Sequence, residues 1–106
     1  MYEKLVVETI GTFLLICVIL HSASDNRIGY FGIAAALFVV INLGASVSGA
    51  HYNPAVTFAM ILENKIAFNL GLLYILSQII GAYGALKFNS IVLESGTMMN
   101  NGMISW

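Results

Sequence analysis

Glu8 and His51 stand out chemically against an apolar background. A carboxylate inside a hydrophobic helical stretch is expensive, and where it persists it serves a function. Acid–base catalysis would need these groups within hydrogen-bond reach of a reacting partner. No second histidine or carboxylate lies near His51 in sequence, and no nucleophile–base constellation or phosphate-cradling loop is present. The reading is therefore no enzyme, no catalytic residue and no cofactor. Cys17 is the single cysteine. It excludes an internal disulfide and a cysteine cluster for metal, and its place in an apolar run marks it as a packing residue. No metal site is expected.

A different chemistry lies in Gly44-Ala-Ser-Val-Ser-Gly-Ala-His-Tyr-Asn-Pro-Ala-Val-Thr57. Pro54 is the only proline. Asparagine is a strong N-cap and proline suits the first helical position, so Asn53-Pro54 predicts a helix start. That helix can run over 54–62 before Glu63-Asn64-Lys65 ends it. Nine residues make about 13–14 Å, half of a bilayer core. The segment is too apolar for an ordinary loop and too short to span. A re-entrant placement follows, in which irregular chain enters over 44–52 and the half-helix returns to the same face. Irregular backbone at membrane depth is tolerated only where protein buries it or water reaches it. Residues 48–53 would present carbonyls there, while the helix end and the Asn53 amide would present donors. Acceptors followed by donors make a path for a small hydrogen-bonding solute, and the positive helix end opposes cations. The alternative is an amphipathic interfacial helix after an ordinary loop.

These residues need a membrane around them. Of 106 residues, 59% are hydrophobic and 8% charged, against about 25% charged in soluble domains. A net charge of −1 leaves no basic patch for nucleic acid. Three apolar stretches, 5–20, 28–47 and 66–86, suit membrane helices, the first being marginal in length and containing Glu8. It resembles a signal peptide, but no small-x-small cleavage site fits well, so it is read as a retained helix over about 5–22. The linkers are 22–27 and 63–65, and a polar tail begins at Lys87. Residues 92–106 show no helical stripe and read as an exposed loop or terminus. Gly32 with Ala36, and Gly81 with Ala85, have the spacing that lets membrane helices approach closely. Tyr2 and Trp106 are candidate interfacial anchors. The fold class is all-α transmembrane, with three spanning helices and one re-entrant half-helix.

Ser48-Gly-Ala-His-Tyr-Asn-Pro-Ala-Val-Thr57 resembles the first Asn-Pro-Ala box of the major intrinsic proteins, the aquaporins and aquaglyceroporins. The ten-residue run is far more specific than its central triplet. Glu8-Thr-Ile-Gly-Thr-Phe13 resembles the family's first-helix motif, and Gln78-Ile-Ile-Gly81-Ala82 its third-helix motif. The likeness covers about residues 3–90, so 1–90 is read as an aquaporin-like first repeat and 91–106 as the tail. The resemblance implies a cytoplasmic N-terminus, Asn53 as pore donor at the bilayer centre, and Gly49, Ala50, His51, Tyr52, Pro54 and Ala55 along the pore. It implies that Glu8 braces the re-entrant loop and that Gln78 packs near it. For His51, structural packing and pore lining both remain open.

The family chain normally holds two inverted repeats, and this sequence matches only the first. It has no second Asn-Pro-Ala box and hence not the arginine that follows that box. The second-helix filter position falls on Ile33, or on Phe31 with a two-residue offset. The expectation is a channel or half-channel for water or a small neutral solute such as glycerol, in a plasma or inner membrane. Its second half would come from an inverted copy, a second-half protein or a full-length channel. The alternatives are a non-conducting membrane interaction subunit and a fragment of a full-length aquaporin. In the family topology Lys4 and Lys65 share one face, Arg27 and Lys87 the other. This balance permits insertion both ways.

Overall fold

The structure, a computed structural model, describes residues 2–24 and 29–98. Four helices follow in order: α1 (Tyr2–Ser24), α2 (Gly29–Ser48), α3 (Pro54–Leu62) and α4 (Phe68–Met98). Among the described residues there is no strand. Three helices are long and apolar enough to cross a membrane: Tyr2–Ser22, Gly29–Ser48 and Phe68–Gly96. α1 lies in the middle, with α2 and α4 packed on it, and α3 rests on α4.

Burial is inverted relative to a water-soluble domain. Phe38 and Leu43 are 70% and 71% exposed, while Glu8, Thr12, Ser48, Thr57, Ser77 and Gln78 are buried. Such a surface suits a membrane and not water, and the chain is an integral, multi-pass membrane protein. Lipid gives no hydrophobic drive for helix association, so helices meet where small residues allow close approach. At Gly81 a Cβ would overlap the carbonyl oxygen of Thr9 on α1, and one turn on Ala85 is 0% exposed. Gly32 and Ala36, with the same spacing, stay half-buried on α2.

The short helix is closed at both ends by its own sequence. Asn53 caps it in an extended conformation, and its Oδ1 accepts from the Ala55 N–H. At the other end Asn64 takes φ +59°. The Asn64 N–H reaches the Ile61 carbonyl at 3.0 Å and the Lys65 N–H reaches Met60 at 2.9 Å, a Schellman closure. Asparagine tolerates the left-handed conformation that this closure requires.

α4 corrects part of the expectation of an exposed loop or tail over 91–106: residues 91–98 continue the helix, which runs unbroken through Lys87 to Met98, while 91–96 are exposed as expected. No proline interrupts 87–98, and glycine first appears at Gly96. The absence of a stripe misled because, among the described residues, these turns meet only α1 and stay largely exposed. Phe88 meets Phe13 of α1 edge-on at 5.9 Å, and Phe88 and Val92 border a cavity shared with Cys17 and His21. At about 46 Å, α4 exceeds the bilayer core. Arg27, Trp106 and tail positions 99–106 lie outside the described residues.

Candidate functional site

Glu8 sits on α1, two turns inside the helix, and is 0% exposed. Its Oε2 accepts from the Ser48 hydroxyl at 2.7 Å and the His51 N–H at 3.0 Å. Its Oε1 accepts from the Tyr52 N–H at 2.8 Å and the Gln78 amide at 2.9 Å. Each oxygen thus receives two donors, the pattern of a carboxylate acting only as acceptor. The connection between α2 and α3 is shaped to supply them. Gly49, Ala50 and Tyr52 all have positive φ, at +86°, +55° and +53°. Glycine adopts this freely, but Ala50 and Tyr52 do so at a cost of about 1–3 kcal/mol each. Bonds to a charged acceptor, worth about 1.5–3 kcal/mol each, offset that strain.

The same bonds orient the carbonyls. Every peptide in the described chain is trans, so each N–H points opposite to the preceding C=O. The N–H groups of Ala50, His51 and Tyr52 turn inward, onto Ser48 Oγ and Glu8. The carbonyls of Gly49, Ala50 and His51 therefore turn away from Glu8, and no hydrogen bond among the described residues ends on them. Asn53 continues the series. With Oδ1 held by Ala55, its Nδ2 protons face the exposed side.

Tyr52 anchors the connection with its side chain as well. The ring enters between α1 and α2, where a Cβ on Gly11 or Gly44 would overlap it. Its hydroxyl donates to the Val40 carbonyl at 2.7 Å, and the residue is 4% exposed.

A second chain of bonds runs from Glu8 to His51. Gln78 donates through Nε2 both to Glu8 and, at 2.8 Å, to Thr57 Oγ1. The opposite amide orientation would set its carbonyl oxygen against the carboxylate. Gln78 Oε1 is consequently buried without a partner. Thr57 is 0% exposed, so its hydroxyl proton needs an acceptor. His51 Nδ1, at 2.9 Å, is the acceptor in reach. Nδ1 accepting leaves the proton of the neutral ring on Nε2. Tyr74 stacks obliquely on the imidazole at 5.0 Å and donates to the Ser48 carbonyl at 2.8 Å. His51, Ser48, Gly49 and Tyr74 border a cavity of about 390 Å³ that Lys4 and Lys65 also line.

The structure thus brings Glu8, Gln78, His51 and Tyr52 into one network and sets Gly49, Ala50 and Asn53 on its open side. Pro54 and Ala55 form the first turn of α3. Ile33 and Phe31 are not part of this cluster. They lie in the first turns of α2, Ile33 about 22 Å along the axis from Ser48, Ile33 half-buried and Phe31 85% exposed. Sequence reasoning missed the Ser48 and Thr57 hydroxyls as bridges, and missed Tyr74 entirely. A signal existed: Tyr74, Ser77, Gln78, Gly81 and Ala85 recur at helical spacing along one face of α4.

The comparisons with known proteins agree. The family model described as Major intrinsic protein matches residues 29–105. A probable aquaporin TIP1-1 of Oryza sativa subsp. japonica is 41% identical over 76 residues, covering 69% of this chain and 30% of that protein. A probable aquaporin PIP2-8 of the same organism is 33% identical over 93 residues, covering 77% of this chain and 33% of its own length. The aquaporin PIP2-7 of Arabidopsis thaliana is 32% identical over 99 residues, 82% of this chain and 35% of its own. The chain therefore spans about a third of the length of the curated relatives it matches. No solved structure matches it. With a family model fitting more than half of its residues, laid over a half-helix capped by Asn53 and tied to Glu8, this chain belongs to the major intrinsic protein family.

Proposed function

We propose that the chain builds one half of a membrane path for water or a small neutral solute such as glycerol. The observation that carries this reading is the orientation of the 49–53 backbone. Glu8 and the Ser48 hydroxyl draw the N–H groups inward, so three successive carbonyls and then the Asn53 amide face the open side. Unsatisfied carbonyls in hydrocarbon cost several kcal/mol each, and a file of water removes that cost. Gly49, Ala50 and His51 would supply acceptors. Asn53 would supply donors at the amino end of α3, beside Pro54 and Ala55, and Tyr52 would hold the turn. Nothing is transformed in such a path, so no catalytic residue is required.

α3 is about 13–14 Å long, against a core of about 30 Å. The remaining half of the path would come from further sequence of the same protein, a second-half protein, a full-length channel or an inverted copy. Ile33 or Phe31, near the opposite end of α2, would then contribute to solute choice from the far side. Stopped-flow swelling of vesicles containing this chain, with crosslinking of the same vesicles, tests the proposal. The expected result is water permeability above that of empty vesicles only where paired chains are trapped, and its loss in Asn53→Asp, which keeps the cap acceptor and removes the donor. Full permeability from vesicles holding only monomers would refute the half-path. Permeability equal to empty vesicles, even with a second half supplied, would favour a non-conducting interaction subunit.

A further inference from the structure

The cavity beside the 49–53 connection gathers two lysines and a neutral imidazole donor whose side chains the proposed path does not require. Lys4 comes from the first turn of α1, Lys65 from the turn between α3 and α4, and His51 from the connection. No carboxylate lines the cavity. Glu8 lies behind the wall made by Ser48 and His51, and its oxygens are filled from within. His51 adds a directional donor, because Nδ1 is engaged by Thr57 and the proton is on Nε2, next to Gly49. Ile66 and Ala67, which lead into α4, also border the cavity. The first backbone bond of α4 is Gly71 N–H to Ala67 O at 2.8 Å, so the positive end of a 31-residue helix opens on the same space.

Two ammonium groups, an imidazole N–H and a helix amino end select an anion with several acceptor oxygens. The geometry points to a phosphate-binding site between Lys4 and Lys65, with His51 Nε2–H as the directional donor. A phospholipid headgroup at the membrane face and a soluble phosphate share this chemistry. An anionic headgroup suits the cavity better than a choline headgroup, whose own cation would face the two lysines. Binding here does not depend on whether the path conducts, and it is read directly.

The full chain is placed in nanodiscs of phosphatidylcholine with a minority of phosphatidylglycerol, and retained lipid is counted by native mass spectrometry. Lys4→Gln and Lys65→Gln are each expected to lower retention of phosphatidylglycerol about fivefold, and the double variant about 25-fold. Both lysines are exposed, so helicity and unfolding midpoint stay at native values. A second arm titrates inorganic phosphate into pure phosphatidylcholine discs and follows the ring nitrogens of His51, with His21 as the unresponsive reference. A lysine-dependent loss in the lipid arm alone identifies a headgroup site. A saturable His51 response that the double variant abolishes identifies a soluble phosphate. Lipid retention unchanged in both single variants, together with no His51 response, overturns the proposal.

Discussion

Replacing Glu8 by glutamine keeps the shape of the side chain and changes one oxygen into a donor. Each carboxylate oxygen accepts two hydrogen bonds, from Ser48 and His51 on one side and from Tyr52 and Gln78 on the other. Wherever the new NH2 group is placed, it faces two donors. Ser48 can turn its hydroxyl and Gln78 can flip its amide, but a backbone N–H can do neither. One N–H, of His51 or of Tyr52, is left buried without an acceptor, which costs about 1–3 kcal/mol. The surviving bonds change from charge-assisted to neutral, losing about 1 kcal/mol each. Removing a buried charge returns part of this, leaving a net loss of about 2–4 kcal/mol. The three spanning helices keep their own backbone ladders, so the damage concentrates in the connection. The assay is unfolding in mild detergent, paired with amide exchange at residues 50–52. A stability loss of about 2–4 kcal/mol with fast exchange at His51 or Tyr52 is expected. A loss below about 1 kcal/mol, with both amides as slow as in the native chain, would refute the reasoning.

Two other substitutions test the packing around this network. Gly81→Ala sets a methyl group against the Thr9 carbonyl, a backbone atom that cannot step aside. A loss of about 1–3 kcal/mol in detergent unfolding is expected. Gly84→Ala, one turn along, meets only the Phe13 ring at 3.4 Å and should be neutral or slightly stabilising; equal effects at both positions would show that the crossing is not where α1 and α4 are closest. Tyr52→Phe loses the bond to Val40 and about 1 kcal/mol, whereas Tyr52→Ala empties the space over Gly11 and Gly44 and costs about 3–5 kcal/mol. Equal midpoints for the two Tyr52 variants would remove the ring from its role as wedge.

Local chemistry was legible in the sequence, and long-range partnership was not. A cap, a proline and a length are properties of neighbours along the chain, so the start of α3 at Pro54 and its end before Glu63 could be read from ten residues. Thr57 was invisible as a bridge because its partners, His51 and Gln78, lie six and twenty-one positions away on different elements. Tyr74 looked like one aromatic among many until its hydroxyl met the Ser48 carbonyl. The far end of α4 was missed for a related reason. Among the described residues that far end meets only α1, while lipid accepts apolar residues on its other sides, so hydrophobic periodicity fades without the helix ending.

The two small-residue pairs show what orients helices in this chain. Gly32 with Ala36 and Gly81 with Ala85 have identical spacing, yet only the second pair is buried in a crossing. In hydrocarbon both would permit close approach, and neither is driven to it by loss of water. What separates them is the polar company on the same face. Gln78 lies three residues before Gly81 and is tied to Glu8 on α1, and Tyr74 is tied to the last residue of α2. Rotating α4 away would break the charge-assisted Gln78–Glu8 bond, worth about 1.5–3 kcal/mol, and the Gln78–Thr57 bond, worth about 0.5–1.5 kcal/mol. Among the described residues no comparable bond holds the face of Gly32, in the first turns of α2. The direction of causation therefore runs from the buried carboxylate outward. Glu8 orients Gln78, Gln78 fixes the rotation of α4, and that rotation brings Gly81 against Thr9 and seats α3 on α4 at Thr57.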